Sequence, residues 1–119
     1  MKCKNGTYKG DYGFTATGTT PLGALAVVGR FTADGKGNIT GTQTRNFNGK
    51  IVHETYTETY TVNPDCTGSS QKATSTNIHV KFDFVVLNHG KTIIGVETDP
   101  GNVVTFRAER SDQPGRRRI

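Results

Sequence analysis

The chain has 119 residues, 15 Lys and Arg against 10 Asp and Glu, a formal charge of +5 and only 32% hydrophobic residues. That length suits one domain, and the apolar runs are too short for a transmembrane helix. Thr occurs 19 times, Gly 15, Val and Ile together 16 and Leu 3, and no stretch keeps the i, i+3, i+4, i+7 spacing of an amphipathic helix, so the chain reads as all-β.

The first expected strand, 8–19, alternates Tyr12, Phe14 and Ala16 with Thr15 and Thr17 and ends in the Thr19-Thr20-Pro21-Leu22-Gly23 loop. The second, 23–34, alternates Leu25, Val27 and Phe31 with Ala26, Val28, Arg30 and Thr32, and Asp34-Gly35-Lys36-Gly37-Asn38 closes it as a tight turn. Strands 38–48 and 50–62 flank Asn48-Gly49, a strong hairpin signal because both residues tolerate positive φ. The Asn63-Pro64-Asp65-Cys66-Thr67-Gly68 turn leads to strand 68–74, and a weaker turn at 74–77 leads to strand 77–88. His89-Gly90 and Pro100-Gly101 then delimit strands 91–98 and 103–110. Eight strands with short connections predict an antiparallel up-and-down barrel, whose closure removes exposed edges; a β-sandwich is the alternative. Residues 3–110 are expected to form this single domain, with 111–119 a basic tail.

Pairing outward from Asn48-Gly49 sets Arg45 opposite Val52, Gln43 opposite Glu54, Gly41 opposite Tyr56 and Ile39 opposite Glu58. Directly opposed residues share a face. One face therefore carries Gln43, Arg45, Glu54, Tyr56, Glu58 and Tyr60; the other is almost all Thr and is expected outside. The same pairing around His89-Gly90 and Pro100-Gly101 puts Phe82 and Phe84 with Gly95, Glu97, Val104 and Phe106. Gly10, Gly41 and Gly95 on the inner face are expected to leave space.

A lumen lined by aromatics and a few convergent polar groups is the usual form of a small-molecule site. The expected ligand-binding residues are Tyr12, Phe14, Gln43, Arg45, Tyr56, Tyr60, Phe82, Phe84 and Phe106. Glu58, Glu54 and Glu97 are candidate general acids or bases, because burial raises a carboxyl pKa. Arg45 would hold an oxyanion. The competing readings are a structural Arg45–Glu54 ion pair, a polar core, or facing inverted by a bulge. No metal or cofactor is expected: His53, His79 and His89 fall on the outer face or in a turn, and neither Cys has a His neighbour. Arg116, Arg117 and Arg118 lie in the tail, and no basic stripe with interleaved aromatics crosses the body, which argues against nucleic acid as a partner.

In an eight-strand meander the first strand starts at the rim where the fourth finishes. Cys3 and Cys66 therefore come to one rim, and a disulfide is expected there, with two free thiols as the alternative. A bridge implies an oxidising compartment.

Three segments resemble a group of small exported bacterial proteins: Gly6-Thr7-Tyr8 with Tyr12-Gly13-Phe14, Thr32-Ala33-Asp34-Gly35-Lys36-Gly37-Asn38, and Tyr60-Thr61-Val62-Asn63-Pro64-Asp65-Cys66-Thr67-Gly68. The resemblance implies a removed leader peptide and a secreted or periplasmic location. The architecture is also similar to calycin and allene-oxide-cyclase-like barrels, which implies an apolar ligand in the lumen or a cyclisation performed there. The expected function is binding of a small, largely apolar molecule within the barrel. A cofactor-free cyclase or isomerase using Glu58, Glu54 or Glu97, and a structural surface domain, are the alternatives.

Overall fold

The computed structural model describes residues 2–111. Eight strands follow in order: β1 (Lys9–Thr20), β2 (Gly23–Asp34), β3 (Asn38–Phe47), β4 (Lys50–Val62), β5 (Thr67–Thr74), β6 (His79–Leu87), β7 (Thr92–Glu97) and β8 (Val103–Arg110). Each pairs antiparallel with its neighbour in sequence, and β8 returns to β1, so the sheet closes into an up-and-down barrel. The sandwich alternative is thereby excluded. Arg116, Arg117 and Arg118 fall outside the described residues. No helix among the described residues is long and apolar enough to cross a membrane.

Turn chemistry sets the register. Asn48 and Gly49 both adopt positive φ (53° and 92°), the geometry a two-residue hairpin requires. Arg45 pairs with Val52, Gln43 with Glu54 and Ile39 with Glu58. The Asp34 carboxylate accepts from the backbone N–H groups of Lys36 and Asn38 and from the Asn38 amide, which fixes the β2–β3 turn. Side chains then alternate with a period of two. Thr15, Thr17, Thr32, Thr40, Thr42, Thr55, Thr57, Thr59 and Thr61 lie on the outer face.

The two ends of the barrel differ. At one, residues 3–8 fold across the opening. Cys3 is bridged to Cys66 with 5.0 Å between their Cα atoms. The Cys3 N–H donates to Pro64 O at 3.1 Å, and Asn5 Oδ1 accepts from the Val62 N–H at 2.8 Å. This drives Tyr8 into the lumen, where its ring centroid lies 4.6 Å from Tyr60 and 5.4 Å from both Tyr12 and Phe84. Tyr12 stacks on Phe31 at 5.0 Å. The Tyr12 hydroxyl donates to Gly90 O and the Tyr60 hydroxyl to Tyr8 O, so these two phenols are satisfied by backbone. The other end carries the β1–β2, β3–β4, β5–β6 and β7–β8 connections. Toward it the lumen is lined by the half-buried Leu25, Phe47, Val52, Val80 and Phe106.

The inner-face glycines do not leave a hollow. Phe14 is the strand partner of Gly29, Phe31 and Tyr56 both flank Gly41, Phe84 lies between Gly68 and Gly95, and Phe106 pairs with Gly95. A Cβ at Gly41 would lie 2.7 Å from Tyr56 Cζ and 2.8 Å from Phe31 Cβ. Each ring lies over a neighbouring strand that has no side chain to obstruct it, and the aromatic volume fills what the glycines vacate.

Candidate functional site

Beyond the aromatic plug the lumen changes character. β3, β4 and β5 point Gln43, Arg45, Glu54, Glu58 and Lys72 inward, and β7 adds Glu97. Glu54 is 6% exposed, Lys72 8% and Glu97 6%. Burying charge costs several kcal/mol unless partners replace water, so the partners decide what this layer can do.

Glu54 is fully provided for. Its carboxylate accepts from Arg45 Nε at 2.8 Å, Gln43 Nε2 at 2.7 Å and Thr76 Oγ1 at 2.5 Å. Burial pushes its pKa up, but the bonds from Arg45, Thr76 and Gln43 and the guanidinium charge outweigh that and hold it down to about 2. The Arg45–Glu54 ion pair, the competing reading of these two residues, is therefore present, and it occupies the guanidinium expected to hold an oxyanion, with Arg45 largely covered.

Glu58 is the opposite case. Burial raises its pKa, with Ser70 and the charge of Lys72 pulling weakly the other way. Ser70 Oγ lies nearby without a well-aligned bond to it, and is itself buried with no hydrogen-bond partner among the described residues. Glu97 is also raised by burial, and the neighbouring Asp99 adds to the rise, against an opposing hydrogen bond from Asn102 Nδ2 at 2.5 Å.

Lys72 sits between them. It is the strand partner of Glu58. Its Nζ donates to Gln43 Oε1 at 2.5 Å and lies 4.0 Å from the Tyr56 ring centroid and 5.0 Å from that of Phe14. Burial lowers its pKa to about 8, with the charges of Glu58, Glu54 and Glu97 resisting. Beside Lys72 and Glu58 lies a cavity of about 30 Å³, walled by Phe14, Ala16, Tyr56, Phe82 and Phe106 and floored by Tyr8 and Phe31 of the plug. A space of that size holds about one water molecule or a group as small as a carbonyl.

The residues expected to form the site thus divide. Phe14, Tyr56, Phe82 and Phe106 surround the cavity with Glu58. Gln43, Arg45 and Glu54 form a network toward the rim, and Glu97 lies with Asn102 on β7 and its following turn. Tyr12, Tyr60 and Phe84 belong to the plug at the far end, with both phenols engaged by backbone. His53, His79 and His89 are exposed, and the described residues hold no cluster of three His, Cys, Asp or Glu side chains with metal-binding geometry.

Lys72, Thr76, Asn102 and Tyr8 escape a reading of the sequence. Lys72 is legible in principle: carrying the β4 alternation across the Asn63–Gly68 turn sets Lys72 opposite Glu58. That turn is longer than two residues, so its register is not fixed by turn type alone. Tyr8 enters only because the 3₁₀ turn at Asn5–Thr7 redirects the chain, and no periodicity signals that.

No protein-family model matches the chain, and no curated protein matches it in sequence. Solved structures do match in shape. A redesigned β-barrel, mFAP1, bound to DFHBI, superposes with a TM-score of 0.63 at 15% identity, covering 89% of this chain and 97% of that one. The related mFAP0, also bound to DFHBI, gives 0.59 at 17% identity, covering 87% and 99%. A fluorescence-activating β-barrel designed de novo gives 0.57 at 10% identity, covering 87% and 94%. At such identities the likeness is one of fold: an eight-stranded barrel of a kind that, in two of these designed proteins, holds a small dye.

Proposed function

We propose that this barrel binds one small, largely apolar molecule in the half of its lumen opposite the disulfide-tied plug. One observation carries the reading. The plug half is apolar and sealed, whereas beyond it Lys72 and Glu58 are held against a small cavity walled by aromatic rings. A lumen meant only to be filled would be more stable with apolar side chains there. Polar groups converging on an aromatic-walled space are the usual means of orienting a bound molecule. The small-dye complexes of the designed barrels support the same use of this architecture.

The preformed space is about 30 Å³, so a ligand of any length must displace the half-buried Leu25, Val80 or Phe106 as it enters. Titration with an environment-sensitive apolar dye tests this. Saturable one-to-one fluorescence enhancement, weakened by Ala16→Leu, which fills the cavity, is the expected result. Absence of saturable binding and of any shift in Tm across a panel of apolar probes overturns the reading.

A catalytic use is favoured by one feature, the Glu58 carboxyl, whose burial keeps it protonated above the usual carboxylate range. An isomerase or cyclase would employ it as a general acid. Glu58→Gln then abolishes turnover of a bound substrate while leaving dye affinity within a few fold. The Cys3–Cys66 bridge favours an exported protein acting in an oxidising compartment, as the resemblance to small exported bacterial proteins implies.

A further inference from the structure

We propose that Lys72 is a nucleophilic amine and that the lumen holds a small apolar aldehyde as an imine on Lys72 Nζ. This rests on the lumenal-binding reading and deepens it by naming the reactive group of the ligand.

The geometry distinguishes Lys72 from a structural counter-ion. An ammonium buried to balance a carboxylate touches one. Ion pairs among the described residues include Arg45–Glu54 and Arg107–Glu109, whereas no described carboxylate oxygen lies within ion-pair distance of Lys72 Nζ. Its hydrogen bond goes to the neutral amide of Gln43, and two of its sides face the Tyr56 and Phe14 rings. The ring faces attract the ammonium, but withdrawal from water without a contacting anion outweighs them and favours the uncharged amine, which is the nucleophilic form. An acid stands at hand, since Glu58 faces Lys72 across the β4–β5 pair. The cavity of about 30 Å³ is lined by both side chains, and it has the size of a carbonyl group.

The step balances within these groups. The Nζ lone pair forms a bond to the carbonyl carbon, and the carbonyl π pair moves to oxygen. That oxygen takes one of the two protons on the attacking nitrogen, giving a neutral carbinolamine. The Glu58 carboxyl then protonates the hydroxyl, which leaves as water while the nitrogen lone pair forms the C=N bond. The nitrogen proton returns to Glu58. The aldehyde loses its oxygen as water, and no electrons are exchanged with any other reagent. The aromatic walls take the alkyl chain, and exclusion of water disfavours hydrolysis of the imine.

The test treats the folded protein with hexanal and cyanoborohydride at pH 7, then locates alkylated lysines by peptide mass spectrometry. Hexan-1-ol, which has the chain without the carbonyl, is titrated in parallel against a bound apolar dye. Adduct accumulating on Lys72 on the order of tenfold faster than on the exposed Lys36 and Lys50, and slowed by hexan-1-ol, supports the proposal. Adduct confined to exposed lysines, with dye displaced by hexan-1-ol, overturns the proposal and leaves lumenal binding standing. Adduct confined to exposed lysines with no displacement overturns both. Glu58→Gln slows trapping at Lys72 several-fold with Lys36 and Lys50 unchanged; equal rates at Lys72 remove Glu58 from the step. The mapping is made on the unsubstituted chain, so it does not depend on any variant folding.

Discussion

Lys72 and Glu58 share a low-dielectric layer without meeting in an ion pair, and their ionisation leaves a mark on stability. The folded state holds Lys72 near 8, whereas an unfolded lysine titrates near 10.4. Between those values the unfolded chain binds more protons, so stability rises with pH from about 8 to 10, by at most about 1.4 kcal/mol per pH unit. Lys72→Met is expected to flatten that rise in urea melts taken across the window. The carboxylates act in opposite senses. Glu58 keeps its proton above the unfolded value, so its contribution is complete below about 4.5 and declines as pH rises through the raised folded pKa. Glu54, held down to about 2, contributes fully above 4.5 and loses that contribution as pH falls toward 2. Lys72→Met also strands Gln43 Oε1, and is expected to cost about 2 kcal/mol at pH 7. Pairing it with Glu58→Leu is expected to recover part of that loss, because the isolated buried carboxyl is then gone.

Among the strands, aromatic rings laid over glycines determine how full the lumen is. Gly41→Ala is expected to destabilise by about 1–3 kcal/mol, since Tyr56, Phe31 and the Arg30 carbonyl surround the new methyl group. Gly49→Ala meets no atom within 4 Å but places a Cβ at φ 92°, so a smaller loss of about 1 kcal/mol is expected from backbone strain alone. Urea unfolding of the two variants separates crowding from conformation. Much at this scale is readable from the sequence. Expected and observed strands differ by two residues or fewer at every boundary, because Asn-Gly, Asp-Gly and Pro-Gly pairs punctuate a chain whose alternation is nearly unbroken. The departure concerns volume. A glycine facing inward reads as space, whereas its cross-strand neighbour at Gly41 and at Gly95 is an aromatic large enough to occupy it. Pairing partners follow from the hairpin registers around those two glycines, so their filling can be read off; Gly68 lies behind the longer turn, and its filling cannot.

For the molecule as a whole, the Cys3–Cys66 bridge closes a loop spanning 63 residues. In the chain-entropy model that contributes about 4 kcal/mol. Cys3→Ser with Cys66→Ser is expected to lose an amount of that order by urea denaturation, and to loosen residues 3–8 enough that Tyr8 no longer seals its end. Amide exchange at Tyr8 and Tyr60 would report that opening. The bridge is legible because strand parity alone brings the two cysteines to one rim. The site is legible only as a face: parity places Glu54, Glu58 and the aromatic rings inside, but which of them cooperate depends on Lys72, Thr76 and Asn102, whose positions come from longer connections.

An even number of strands also returns the chain to the end from which it set out. Both the Cys3 side and the last residue of β8 therefore emerge beside the plug, away from the mouth. A bulky group attached beside Cys3 or beside the last residue of β8 would crowd the plug end and leave the rim formed by the β1–β2, β3–β4, β5–β6 and β7–β8 turns untouched, as weight hung from a handle leaves the far lip clear.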